Sequence, residues 1–446
     1  MSTGARPATS TAAPLAPSLR WHRRGIVIGA SPTPSATLAT NERLRRLIAE
    51  GRPILHLAFG EAGLPVPDEV LDALARGASD NAYGSVAGSP AAREAAAGYL
   101  ERRRLTCDPD QILIAPGSKA LLWALLSVLP GDVVLPCPSW VSYAAQAALA
   151  GKRVWNVPID SDGAGGVPDP EALEETLSEA VRQGGDPGVI VLTLPDNPTG
   201  TVASAAAVQR VSEIAQASGL SIVSDEIYRD LAHAPDEFRS PAEFVPERTY
   251  VTNGLSKNMA LGGWRIGFVR LPASDAGRAA AAALLALASE VWSSTPSPMQ
   301  HVAAHVLSEP PHVVEHVARG RRLHRAATTA LYESLLAAGV SCRPPAGGFY
   351  LYPDFEPLRP ALADRGVRSG EALSDHLLER FDIGVLNGAA FGDDPGALRC
   401  RMATSLLYGD TVERRRQALS APDSAALPWI RESLDRLADA FVALAA

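Results

Sequence analysis

RTYVTNGLSKNMALGGWRIGFVR, residues 248–270, sets a lysine between two short apolar runs of strand character. Lys257 stands among small polar residues, and the pair Gly262 and Gly263 leads into Trp264, Arg265, Ile266 and Gly267. A solvated lysine needs no such setting. A lysine that must react as a free amine has to be held, partly desolvated and kept near fixed charges that tune it. The stretch alone fits an ordinary loop carrying one lysine equally well, so the rest of the chain has to decide.

The two flanking runs belong to a series. QILIAPG, DVVLPCP, KRVWNVPI, GVIVLTLP, LSIVSDE, RTYVTNG and RIGFVRL are short, rich in β-branched residues, and mostly separated by helical segments. That alternation predicts an α/β fold: a mostly parallel sheet covered by helices on both faces, with ligands at the carboxyl ends of its strands. Before the series come an amphipathic helix over 34–51 with Leu38, Leu44, Leu47 and Ile48 on its stripe, a short strand leading into Gly60 and Glu61, and helices over 67–76 and from Pro90. After it come long helices over 278–292 and 311–338, a strand, glycine pair and strand in SCRPPAGGFYLYPDF, a helix over 370–381, and strands at 383–386 and in CRMATSLL. These predict a disordered tail over 1–30, a large domain over 80–310, and a smaller α+β domain. The smaller domain is built from 31–79 and 311–446, the interdomain helix included.

Composition narrows the class. The chain has 446 residues, 46% hydrophobic and 20% charged, enough for the large core of a soluble enzyme. A net charge of −8 without a basic block argues against nucleic acid. No apolar run is long enough to span a bilayer, which predicts no membrane partner. Cys107, Cys137, Cys342 and Cys400 are scattered and form no CxxC pair, which predicts reduced thiols and a cytoplasmic location. The first 25 residues share the Ala, Ser and Arg bias of a transit peptide, but Pro7, Pro14 and Pro17 break any amphipathic helix there.

The residues after each strand form a consistent set. Gly117, Ser118 and Lys119 open an apolar helix after QILIA, a phosphate-sized anion site of free N–H groups and helix dipole. Trp140 offers an aromatic face after DVVLPCP; Asn197 stands in a tight turn after VIVLTLP; Asp225 and Tyr228 follow SIVS; and Lys257 follows TYVTNG. Each has a plain structural explanation by itself. Together, an anion cradle, an aromatic plate, an amide, a carboxylate, a phenol and a lysine are what pyridoxal phosphate requires.

The chain resembles the aspartate aminotransferase family, class I and II pyridoxal-phosphate enzymes of fold type I, and in particular its bacterial branch, from about Leu38 to the C-terminus. The resemblance rests on YGSVAGSPAARE, PGSKAL, PSWVSY, DNPTG, SDEIY, NGLSKNMALGGWRIGF, PAGGFY and the strand carrying Arg401. It implies that Lys257 forms a Schiff base with the cofactor and Asp225 pairs with the ring nitrogen. Asn197 and Tyr228 would bond the ring oxygen while Trp140 stacks on the ring. Ser118, Lys119, Ser256 and Arg265 would bind the phosphate. Tyr83 would reach the cofactor phosphate of a neighbouring subunit, implying a homodimer with shared sites. Arg401 would grip the substrate α-carboxylate, with Gly60 lining the site. Two departures stand out: Gly254 where many members carry a hydroxyl residue, and Asn387-Gly388 where the family often has Pro-Gly.

The implied reaction is transfer of an amino group between an α-amino acid and a 2-oxo acid. A carboxylate about 4 Å from a pyridinium is worth roughly 4 kcal/mol at an effective dielectric near 20, so Asp225 would keep the ring protonated. Elimination, replacement or cyclisation on an amino acid would start from the same carbanion and stays the alternative. A regulatory protein would need a DNA-reading module, and the N-terminal stretch is too short and Pro-rich for one. His312, Glu315 and His316 match HxxEH, and His301 with His305 has i, i+4 spacing. No separate third ligand is apparent, so the expectation is helix surface and no metal.

Overall fold

The computed structural model describes residues 35–160 and 163–445; the proposed tail over 1–30 lies outside them. The seven apolar runs form one sheet in the order β2-β8-β7-β6-β5-β3-β4. These strands are β2 (Ile112–Ala115), β3 (Asp132–Cys137), β4 (Val154–Pro158), β5 (Pro187–Thr193), β6 (Ser221–Asp225), β7 (Thr249–Gly254) and β8 (Gly267–Arg270). Neighbours pair in parallel except β8, which runs antiparallel to both β2 and β7.

Both faces are covered, which explains why the strands are continuously apolar rather than alternating. In β5, Val189 and Val191 join the core beneath the helices Ser118–Val128 and Asp275–Val291. Ile190 and Leu192 point the other way, into the core beneath Pro170–Arg182 and Ala205–Ala217. Beneath β2 and β8, Ile112, Ile114 and Phe268 pack with the helices Pro90–Glu101 and Ser297–Leu307. Ser89 caps the first of that pair through Ala92 N, with Pro90 at its first turn.

A separate core gathers around the long helix Pro311–Ala337 and the last helix, Pro428–Ala445. There β1 (Leu55–His56) pairs in parallel with β10 (Ile383–Gly384), so the early segment joins the C-terminal one. Beside them β11 (Leu386–Asn387), β12 (Cys400–Ala403) and β9 (Tyr350–Leu351) form an antiparallel sheet. No helix among the described residues is long and apolar enough to cross a membrane.

Some expectations change. The run over 383–386 is two strands broken at Val385, and the first strand of SCRPPAGGFYLYPDF shrinks to one bridge, Ser341 with Asp354. The helix Ser297–Leu307 went unrecognised between its longer neighbours; it begins after Ser293, whose φ of 61° ends the preceding helix. The first helix, Ala36–Ala49, buries Leu44 but leaves Leu38 and Ile48 exposed, so its apolar stripe is only partly covered.

Candidate active site

Strand ends build a single cavity of about 600 Å³. The ends of β2, β3, β5, β6 and β7 deliver Ser118 and Lys119, Trp140, Asn197, Asp225 and Tyr228, and Ser256 and Lys257, respectively. Arg265, Gly60 and Arg401, the last on β12, line the same cavity. Two predicted residues do not. Gly117 lies just behind the wall, and Tyr83 is 94% exposed, away from this chain's cavity.

Asp225 is buried at the floor. Its Oδ2 accepts from the Tyr143 hydroxyl at 2.8 Å, and its Oδ1 from Ile227 N at 3.3 Å and Thr252 Oγ1 at 3.4 Å. With that proton committed, Tyr143 accepts from Thr193 Oγ1 at 2.9 Å. Burial pushes the Asp225 carboxyl up to about 6, against those hydrogen bonds and the charge of Lys257. Tyr143 also meets Trp140 edge to face, centroids 5.2 Å apart, which fixes the indole at the wall.

Lys257 donates to the Gly60 carbonyl, and its Nζ lies 5.6 Å from the centre of the Tyr228 ring. Burial and the Arg401 charge bring its ammonium down to about 8, against Glu61 and Asp225. An amine so shifted is still mostly protonated near physiological pH, but its neutral fraction is far larger than that of a free lysine, which favours a nucleophilic role.

The anion cradle sits where the helix Ser118–Val128 begins. Gly117 adopts φ 90°, and a Cβ there would fall 2.2 Å from the Arg265 guanidinium, so only glycine leaves room for that cation. Arg265 itself takes a left-handed conformation, φ 57°, and donates to the Gly262 carbonyl at 2.9 Å. Burial and Arg265 lower the Lys119 ammonium below its ordinary range. Neither Lys119 nor Arg265 forms an ion pair among the described residues.

Opposite stands Arg401, 1% exposed. Its Nη1 donates to Asn197 Oδ1 at 3.1 Å and its Nη2 to the Ala58 carbonyl, while its Nε is buried without a partner among the described residues. The rings of Tyr350 and Phe391 lie 4.9 and 5.0 Å from the guanidinium carbon. A buried guanidinium whose hydrogen-bond partners among the described residues are all neutral is costly unless an anion arrives.

Sequence reasoning gave no role to Tyr143 or Tyr350. The Tyr350 hydroxyl pairs with that of Tyr228 at 2.7 Å and comes so close to Gly60 that a Cβ there would fall 2.1 Å away. Both tyrosines stood inside quoted motifs, PSWVSY and PAGGFY, and only the fold shows what they touch. Thr37, Leu38, Asn41 and Arg45 line the mouth from the first helix, whose i, i+4, i+8 spacing was the available signal. The HxxEH residues diverge: His312 meets His305 at 3.1 Å, Glu315 pairs with Arg319, and His316 is buried.

These groups fit pyridoxal phosphate. Cations without acids suit its phosphate and a substrate carboxylate, the buried Asp225 suits a ring cation, and a lysine shifted toward neutrality lines the same cavity. Comparison with known proteins agrees. Residues 52–406 match the family described as aminotransferase class I and II. An aspartate aminotransferase of Geobacillus stearothermophilus is 32% identical over 399 residues, 86% of this chain and 96% of that protein. A probable aspartate/prephenate aminotransferase of Aquifex aeolicus is 30% identical, covering 83% and 92%. The solved structure of aspartate aminotransferase from Thermus thermophilus with maleate superposes with a TM-score of 0.77 at 27% identity, covering 91% of this chain and 97% of that one.

Proposed function

This chain belongs to the class I and II aminotransferases, pyridoxal-phosphate enzymes that exchange an amino group between an α-amino acid and a 2-oxo acid, and from that premise we propose how its own residues do so. The observation that carries the assignment of roles is Arg401: a buried cation with an unpartnered Nε, aimed into a cavity that also holds a lysine shifted toward neutrality.

Arg401 receives the substrate carboxylate by a charge-assisted fork, with Asn197 fixing the guanidinium plane. Ser118, Lys119, Ser256 and Arg265 would hold the cofactor phosphate at the start of the helix Ser118–Val128. Asp225, kept in place by Tyr143, would hold the ring nitrogen, Tyr228 the ring oxygen, and Trp140 the ring face. Pyridoxal phosphate, when bound, supplies an aldehyde that takes up the amino group and a ring that accepts the electron pair left on the α-carbon. Lys257 Nζ would take the proton from the substrate α-carbon and deliver it, on the same face, to the cofactor carbon that holds the amino group.

Substrates with a second carboxylate fit the mouth, where Arg45 meets Glu61 only loosely, at 3.9 Å, and both side chains are more than half exposed. The relatives named for aspartate and for prephenate support that class. The exposed Tyr83 supports a homodimer in which it reaches the partner's cofactor phosphate. We place the enzyme in the cytoplasm, in amino acid biosynthesis, with the small domain formed by 31–79 and 311–446.

Borohydride reduction of the holoenzyme followed by peptide mapping tests the central role. The expected outcome is one labelled peptide containing Lys257, absent in Lys257→Ala, with kcat lower by about 10,000-fold. A label that persists in the variant overturns it.

A further inference from the structure

Behind the cavity, and lining no part of it, Asp230 sits in the short turn Arg229–Leu231 directly after Tyr228. Its Oδ1 accepts from Arg103 Nε at 3.0 Å and Nη2 at 2.7 Å. Its Oδ2 accepts from the Tyr99 hydroxyl at 2.9 Å and from Asn258 Nδ2 at 2.8 Å. Asn258 is the residue after Lys257. Asn253, at the other end of the lysine-bearing turn, donates through Nδ2 to the Tyr99 hydroxyl at 3.2 Å. Both ends of 253–258 are therefore tied, one directly and one through Tyr99, to one carboxylate that is two residues from Tyr228. Burial pushes that carboxyl up, but the Arg103 charge and the hydrogen bonds from Asn258, Arg103 and Tyr99 outweigh it and leave it below its ordinary range. It remains an ion, and a strong acceptor, across the working pH range.

We propose that Asp230 is a positioning residue for the reaction: through Asn258 on one side and its own turn on the other, it sets the placement of Lys257 relative to Tyr228. Nothing in the network touches the cavity, so its effect on the chemistry passes through geometry. Misplacement of a reacting group by about 1 Å costs on the order of 100-fold in rate. This inference rests on the role assigned above to Lys257.

Asn258→Leu tests it in the holoenzyme. The substitution preserves size and removes the donor; the Asn258 Oδ1 is buried without a partner, so its loss leaves no protein donor unmatched. The expected result is a kcat lower by roughly 10- to 100-fold, a KM for the amino donor within about twofold, and a displaced pH midpoint of the cofactor's visible absorption. Asp230→Asn should act through the same bond, so the double variant should be no slower than the slower single one. Unchanged kcat and pH midpoint in Asn258→Leu, or effects that multiply in the double variant, overturn the proposal. Should Asp230→Asn fail to fold, Asn258→Leu decides alone, with its thermal midpoint as the control for general loosening. Absence of a borohydride label on Lys257 in the unaltered protein would instead refute the role of that lysine, whatever Asn258 does.

Discussion

Two arginines, Arg103 part-buried and Arg401 fully buried, sit in opposite circumstances. Arg103 lies against two carboxylates, bonding Asp230 and, at 3.0 and 2.6 Å, Glu309, with its guanidinium 3.5 Å from the Tyr99 ring centre. Arg401 is more deeply buried and, among the described residues, hydrogen-bonds only an amide and a backbone carbonyl and keeps Nε without a partner. Burial lowers both. Around Arg103, Tyr99, Asp230 and Glu309 more than reverse the effect; around Arg401 only Tyr350 and Tyr228 oppose it, and the group ends below its ordinary value. The fold completes its ionic bonding at Arg103, which ties segments together, and leaves it incomplete at Arg401, where the proposed substrate carboxylate would complete it.

The same substitution at the two positions should therefore have unlike results. Arg103→Met leaves Asp230 without its cation, Glu309 keeping Arg102, and should destabilise the protein by about 3 kcal/mol, read as a lower midpoint in urea at unchanged slope. Arg401→Met strands no carboxylate. It should cost the apoprotein little in the same urea titration, yet lower kcat/KM by roughly 100-fold, about 3 kcal/mol, mainly by raising KM for every α-amino acid tested. Equal loss of stability at both positions would erase the distinction.

The smallest expected effect sharpens it. Capture of free pyridoxal phosphate by the apoprotein should rise with pH around a midpoint near 8, the value to which burial and Arg401 bring Lys257. Arg401→Met removes one of the lowering charges, so that midpoint should rise, by under about one unit. The accompanying stability change has a definite sign. Between about 8 and 10.5 the unfolded chain holds a proton that folded Lys257 has shed, so apoprotein stability from this group increases with pH across that window.

The Arg103 network was invisible in the sequence, whereas most of the cavity was legible. Lys257, Asp225, Asn197 and Ser118 each follow a strand whose apolar run announces it, so strand ends fix their position along the chain and the parallel sheet brings them together. Asp230 and Asn258 are 28 positions apart and Arg103 lies 127 from Asp230, on no common motif. Pairing over such distances depends on strand order, which alternation alone does not specify. The sheet order places β8 between β2 and β7, and nothing local to RIGFVRL says so. The helix Ser297–Leu307 was missed because SSTPSP reads as an irregular link when its packing partners, Pro90–Glu101 and Asp68–Gly77, are not yet known.

That inserted strand carries a consequence for synthesis. β8 is the last strand of the large sheet to leave the ribosome yet takes the second place from its edge, so β2 waits for residue 270 before it can join β7. Only then do the helix start at Ser118, the turn holding Lys257 and the guanidinium of Arg265 meet. Arg401 emerges 131 positions later. A nascent chain thus completes the proposed cofactor cradle well before the proposed handle for substrate exists, so cofactor bound at that stage would brace the sheet while the smaller core is still being translated.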